Sequence, residues 1–248
     1  MLFLHGAGLD SQLWRRQLDR FDEFDLHFLD LRGHGRSPMH VGRRVTLADV
    51  VDDIDAVLTH VGAERVTLVG HSWGGAPAQL FSVRQAARTS GLVMIGAPGV
   101  IRERPTTERV RMQVMTPLLR LLPWSAVSRW SARYCSEVSS TREYVASSLA
   151  LTGRQTFIDL GLEADASVTD VAGHGDLGAT PTLLLSGEDD MPALLAPIYE
   201  DLVAANPHAS IKTIAATRHC PMLDTPDDFD DALARFFDRT DLGSAPGG

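Results

Sequence analysis

Gly70-His71-Ser72-Trp73-Gly74 is the segment whose residue types and spacing most directly suggest chemistry. A serine flanked at two residues on each side by glycine fits G-x-S-x-G, in which only small neighbours fit around a strained backbone. Such a turn lifts the Ser72 hydroxyl to the end of a strand and aims the N-terminus of the next helix at it. A serine hydroxyl is a weak nucleophile, so it needs a base, and the base needs an acid to orient it. On an elbow of this kind the acid and then the histidine follow the serine in chain order. Asp190, in Gly187-Glu188-Asp189-Asp190, and His219, in Thr217-Arg218-His219-Cys220, satisfy that order, with Asp189 as the alternative acid. Two backbone N–H groups are also required to hold an oxyanion. Trp73 supplies one, and Ala7 in the glycine-flanked loop His5-Gly6-Ala7-Gly8 is expected to supply the other.

These residues need a scaffold, and the chain alternates short apolar runs with helix-like stretches. Leu2–Leu4, Leu26–Leu29, Val66–Val69 and Leu92–Ile95 read as strands, and so do Thr182–Ser186 and Ile211–Ile214. Between them, helical patterns cover about 10–21, the stretch from Leu47, 193–205 and 229–237. Thr46-Leu47-Ala48-Asp49 resembles a capping box with Asp where Glu or Gln is usual. The alternation predicts a parallel α/β sheet of about six strands covered on both faces. Ser72, Asp190 and His219 then all follow strands, on one rim of the sheet.

From 100 to 178 the rhythm changes. Strand-like runs give way to helix formers, divided by Pro105, Pro117, Pro123 and Gly153 into about four helices, one over 112–122. A helical domain, 100–178, is therefore expected to interrupt a core of 1–99 and 179–248, ending in a disordered tail over 244–248.

Composition excludes several classes. The net charge is −9, which opposes nucleic-acid binding, and residues 179–248 alone hold 12 acidic against 4 basic side chains. No apolar run reaches the ~18–20 residues of a membrane helix, and no signal peptide is visible. Two cysteines, Cys135 and Cys220, are too few for a disulfide framework or zinc site and read as free thiols in a reducing, cytoplasmic setting. Lys212 is the single lysine. No metal cluster, phosphate loop or dinucleotide fingerprint is present, so neither metal nor cofactor is expected. Among the remaining histidines, His5 is expected to hold its loop, and His34, His40 and His174 read as loop or surface residues.

Leu4-His5-Gly6, Asp30-Leu31-Arg32-Gly33-His34-Gly35-Arg36-Ser37, Gly70-His71-Ser72-Trp73-Gly74-Gly75, Gly187-Glu188-Asp189-Asp190 and His219 together resemble the ordered motifs of the α/β-hydrolase superfamily. They are most similar to its capped esterases, cofactor-free haloperoxidases and carbon–carbon bond hydrolases. The resemblance implies Ser72 as nucleophile, His219 as base, Asp190 as orienting acid, Ala7 and Trp73 as oxyanion donors, and the helical insertion as a cap. It further implies hydrolysis of an ester, lactone or related acyl bond of a small molecule, or a carbon–carbon cleavage or non-hydrolytic rearrangement at the same site. A serine nucleophile argues against the dehalogenase and epoxide-hydrolase members, which use a carboxylate. Gly6 and His71, beside the nucleophile, join Trp124 and Trp130 as candidate substrate contacts, with Met112, Met115, Leu118 and Phe157 as further apolar pocket candidates. Relatives usually carry two strands before the His-Gly strand; without them Leu26–Leu29 is an exposed edge, which a homodimer would cover.

Overall fold

The computed structural model of the chain describes residues 1–37, 44–99, 114, 118–171 and 177–240, with side chains of the last inserted helix described to 163. Its strands are β1 (Leu2–Leu4), β2 (His27–Leu29), β3 (Val66–His71), β4 (Thr89–Ile95), β5 (Thr182–Gly187) and β6 (Ala209–Ile214). They form one sheet in the order β2-β1-β3-β4-β5-β6, and every neighbouring pair is parallel. The parallel sheet of about six strands expected from the alternation is present. β2 lies at an edge, half-buried.

Both sheet faces are covered, which explains why the strands read as unbroken apolar runs. Successive side chains point to opposite faces. Leu2, Leu4, Leu68, Leu92, Met94 and Leu184 pack into one core, while Phe3, Val69, Val93, Ile95, Leu183 and Leu185 pack into the other. The first face is covered by α1 (Leu47–His60), α2 (Gly75–Arg84) and, later in the chain, the helix 192–205. Thr46 and Asp49 close the capping box of α1 reciprocally, so the shorter Asp side chain suffices. Leu47, Val50, Val51, Ile54 and Leu58 form its buried stripe.

The expected helix over 10–21 is instead a single 3-10 turn, Ser11–Trp14, followed by successive turns. Asp10 caps that turn through the Gln12 N–H. Trp14 and Leu13 are buried whole, which anchors the segment without a longer helix.

Between β4 and β5 lie α3 (Trp124–Cys135), α4 (Ser139–Thr152) and α5 (Arg154–Val171). Pro123 occupies the position before α3, and Gly153, at φ +80°, makes the turn between α4 and α5. Of the helix expected over 112–122, residues 112, 113 and 115–117 lie outside the described residues, 114 and 118 are helical, and 119–122 turn instead; the tail at 244–248 also lies outside the described residues. The chain closes with α6 (Pro192–Ala205), α7 (Pro221–Asp224) and α8 (Pro226–Arg239). Among the described residues no helix is long and apolar enough to cross a membrane.

Candidate active site

Strand order reverses beside β1, because β2 lies on one side of it and β3 on the other. In parallel sheets the crevice beyond such a switch point, at the carboxyl ends of the strands, is where ligands bind. The loops after β1, β3, β4, β5 and β6 carry Gly6, Ser72, Gly96, Asp190 and His219 respectively. Among the described residues, the non-glycine positions with left-handed backbone are Ser72 (φ +52°), Met191 (φ +43°) and Ala216 (φ +52°). Each sits in or beside one of these loops, and such strain collects at functional sites.

Asp190 and His219 are brought together. The histidine Nδ1 lies 2.9 Å from both Asp190 carboxylate oxygens, and the two residues are 1% and 6% exposed. Burial alone would lower the His219 pKa, but the Asp190 charge and hydrogen bond outweigh it and raise it above 6.5, to about 9. Burial likewise opposes ionisation of Asp190, and the charge of His219 with its hydrogen bond reverses this, holding the carboxyl below its ordinary value. Asp189 is more exposed, and its own N–H donates to the Thr217 carbonyl.

Gly96 makes the pairing possible. It has φ +56°, and a methyl group there would fall 2.5 Å from Asp190 Oδ2 and 2.8 Å from His219 Nδ1.

Ser72 follows β3 directly and begins a 3-10 turn, Ser72–Gly74, that leads into α2. It is half-buried. Its neighbour His71 is fully buried, donates from Nε2 to the His219 carbonyl at 2.8 Å, and lies with its ring 4.6 Å from that of His219. His71 is therefore a brace between two loops, with none of its surface exposed. Gly6 fits between them, since a methyl group there would come within 2.9 Å of His71 Nδ1 and 3.0 Å of Ser72 Cβ.

The loop after β1 is held by two neutral histidines. His5 Nε2 accepts from the Leu31 N–H, and its Nδ1 faces the Gly6 carbonyl at 2.9 Å. His34 Nε2 accepts from the Gly8 N–H at 3.0 Å. His34 is thus a loop residue but not a surface one: it is 2% exposed, because the turn 32–37 folds it under Gly8. Burial depresses both imidazoles, His5 to about 3, so each keeps an acceptor nitrogen. The Ala7 N–H between these tethers has no hydrogen-bond partner among the described residues. Trp73 lies in the first turn after β3, where backbone N–H groups lack helical acceptors.

The inserted helices lie against this rim. Trp73 Nε1 donates to the Leu160 carbonyl of α5 at 3.0 Å. Leu149 of α4 and Phe157 of α5 abut Gly8, where an added methyl group would meet them at 2.3 and 3.3 Å. Trp124 is half-buried with its ring 5.7 Å from Phe157. Trp130 is 67% exposed and stacks on Tyr134, so its ring faces solvent. Leu118 is also exposed; Met112, Met115, His40 and His174 lie outside the described residues. Among the described residues no group of His, Cys, Asp or Glu is arranged to hold a metal ion.

A family model described as "Alpha/beta hydrolase family" matches residues 1–232. The chain belongs to the α/β-hydrolase family. Epoxide hydrolase 3 of Xenopus tropicalis is 35% identical over 101 residues, which is 40% of this chain and 27% of that protein. A 2-succinyl-6-hydroxy-2,4-cyclohexadiene-1-carboxylate synthase of Citrobacter koseri is 31% identical over 139 residues, 55% of this chain and 48% of that protein. This α/β-hydrolase thus spans less than half the length of either curated relative. A malate-bound esterase of Thermogutta terrifontis has the same fold, with a TM-score of 0.79 at 21% identity, covering 96% of this chain and 89% of that one.

Two residues of this α/β-hydrolase site escape sequence reasoning. Gly96 is legible only as a glycine after a strand. Tyr134 sits in the insertion without a motif, yet its hydroxyl donates to Asp190 Oδ1 at 2.6 Å and lies 3.3 Å from His219 Nδ1. A tyrosine in an amphipathic helix is indistinguishable from a packing residue until the helix is docked.

Proposed function

We propose that this chain is a serine hydrolase that cleaves a carboxylic ester, lactone or related acyl bond of a small, apolar substrate through an acyl-enzyme. The observation that carries the reading is the strained Ser72, braced through His71 against the backbone of a histidine whose other face is held by a buried carboxylate. Residues 1–99 and 179–248 act as the catalytic core and 100–178 as a cap. Leu149, Phe157 and Trp124 give the cap's inner side its apolar character, which suits an apolar acyl or leaving group. Cys135 and Cys220, buried and unoxidised, fit a cytoplasmic setting.

In this reaction Ser72 Oγ attacks the carbonyl carbon while His219 Nε2 takes its proton. Asp190 fixes the His219 tautomer and stabilises the imidazolium. The Ala7 and Trp73 N–H groups receive the oxyanion, each contributing about 3 kcal/mol in the transition state. His219 then protonates the leaving oxygen, the C–O bond breaks, and an acyl-Ser72 ester remains. Water attacks that ester with His219 again as base, releasing the acid and restoring the serine.

Ser72→Ala tests this directly. It is expected to abolish turnover of a p-nitrophenyl acyl ester and labelling by a fluorophosphonate, with thermal unfolding unchanged. Full activity in that variant overturns the reading.

The likeness to a Citrobacter koseri synthase favours a second reading, in which the same site breaks a carbon–carbon bond or rearranges a natural product without hydrolysis. Turnover without any fluorophosphonate adduct on wild-type enzyme distinguishes it. Epoxide opening is not proposed, because the elbow carries Ser72 in place of a carboxylate.

A further inference from the structure

Tyr134 takes no part in the reaction just described, yet it contacts both members of the acid–base pair. The last three residues of α3 meet three consecutive residues of the His219 loop in register. The Arg133 carbonyl accepts from Arg218 Nη1 at 2.7 Å. Tyr134 donates to Asp190 Oδ1 at 2.6 Å, with its ring 5.0 Å from that of His219. Cys135 lies beside Cys220, each buried thiol perturbing the other's ionisation. Arg218 also pairs with Glu137, two residues beyond α3.

Asp190 is almost without solvent, so protein donors must replace water for its charge to persist. Among the described residues, its carboxylate has two side-chain donors, His219 Nδ1–H and the Tyr134 hydroxyl. The first belongs to the core. The second arrives with α3, from the insertion.

We propose that Tyr134 is a positioning residue: its hydroxyl holds the Asp190 carboxylate against His219, and the pair is complete only while α3 is docked on the His219 loop. The inference rests on the serine-hydrolase reading, since it assigns Asp190 and His219 their roles. Tyr134 acts through Asp190 and does not reach the reacting atoms. Its hydrogen bond has two effects. It fixes the carboxylate rotamer, which keeps the imidazole aimed. It also draws charge from the carboxylate, which loosens the grip of Asp190 on the His219 proton.

The other titratable groups around the pair are His71 from β3, Cys135 from α3, Cys220 of the base loop and Tyr199 from α6, with Asp224 of α7 acting on the two thiols. None is altered by Tyr134→Phe, which keeps the ring and removes the hydroxyl. That variant is expected to lower kcat about tenfold on a p-nitrophenyl acyl ester, with KM within twofold of wild type. The acid limb of its kcat/KM profile moves to higher pH. The His219 ring titration, followed by 1H–15N NMR without substrate, moves the same way, because Asp190 still faces the ring and is now more basic; a move toward 6.5 would overturn this second effect. Arg218→Gln, which releases the helix end and leaves Tyr134 in place, is expected to move the same readouts by less.

A Tyr134→Phe enzyme with unchanged kcat and unchanged His219 titration overturns the proposal. So does a loss of activity that tracks lost stability while the titration stays where it was. An Arg218→Gln enzyme identical to wild type overturns the dependence on docking. The underlying reading fails separately, if wild-type Ser72 is not labelled by a fluorophosphonate; the NMR titration still reports on Tyr134 in that case.

Discussion

The His71 imidazole donates from Nε2 to the backbone carbonyl of His219 at 2.8 Å, joining the residue before Ser72 to the loop that follows β6. The two loops leave strands separated in the sheet by β4 and β5, so this bond, rather than any ladder pairing, sets their spacing. The donor role leaves Nδ1 unprotonated and buried against Gly6. Burial, aided by the nearby His219, holds the His71 pKa down at about 3, so the brace is a neutral ring at any pH of interest.

His71→Leu removes that donor and leaves the His219 carbonyl buried without it. The expected cost is about 1–3 kcal/mol of stability. Because reacting groups lose alignment, kcat is expected to fall about 100-fold. Urea unfolding midpoints and kcat on an acyl ester, measured on the same preparations, check both; a stable, fully active variant contradicts the brace.

The pH dependence follows from the His219–Asp190 pair. In the proposed reaction His219 is the base and must be neutral to accept the serine proton, and its pKa is raised above 6.5, to about 9. Activity is therefore expected to climb with pH along a limb centred above 6.5. The sign for stability is opposite. A raised pKa in the folded state contributes stability that is complete below 6.5 and is lost as pH rises through about 9. A kcat/KM profile already flat by pH 6 would contradict this electrostatic arrangement.

Gly96→Ala places a methyl group against Asp190 Oδ2 and His219 Nδ1, on backbone at φ +56°. Either the pair separates or β4 shifts at its end. A drop in kcat on the order of 100-fold is expected, with the His219 NMR titration returning toward 6.5 as the hydrogen bond to Asp190 is lost.

Far from the chemistry, Asp230 on α8 is buried, accepts from Gln17 Nε2 at 3.1 Å, and has its pKa raised by burial to about 6. The folded carboxyl thus holds its proton more tightly than the unfolded one. Its contribution to stability is complete below pH 3.8 and is lost as pH rises through about 6. Asp230→Asn keeps an acceptor for Gln17 and cannot ionise. Its melting temperature is expected to exceed that of wild type at pH 7, with the difference shrinking as pH falls to 4.

Much of this was legible in advance. Residues on the parallel strands are buried on both faces, so Leu2-Phe3-Leu4 and Thr182-Leu183-Leu184-Leu185 announce themselves as apolar runs. The capping box at Thr46 is a local pattern and formed locally. The segment 10–21 misled because its apolar residues have helical spacing, while its role is to bury Trp14 and Leu13 beneath a tethered loop. His34 reads as a loop or surface residue and does lie in a loop, but only the fold of its turn buries it under Gly8.

The chain order of Ser72, Asp190 and His219, and the loops that carry them, were determined by sequence alone, because strand-to-loop transitions are local and their glycines have short-range causes. Membership in the α/β-hydrolase family follows from the same motifs. The surroundings of those groups were decided by tertiary structure. Whether Asp190 has one donor or two depends on where the end of α3 comes to rest, 56 residues before it in the chain. Whether a histidine at position 71 is open to solvent or braces the His219 loop depends on burial, which no local pattern encodes. Hydrogen bonds between distant segments form only after the sheet and the inserted helices have packed, and the proton affinity of His219 is set by those bonds.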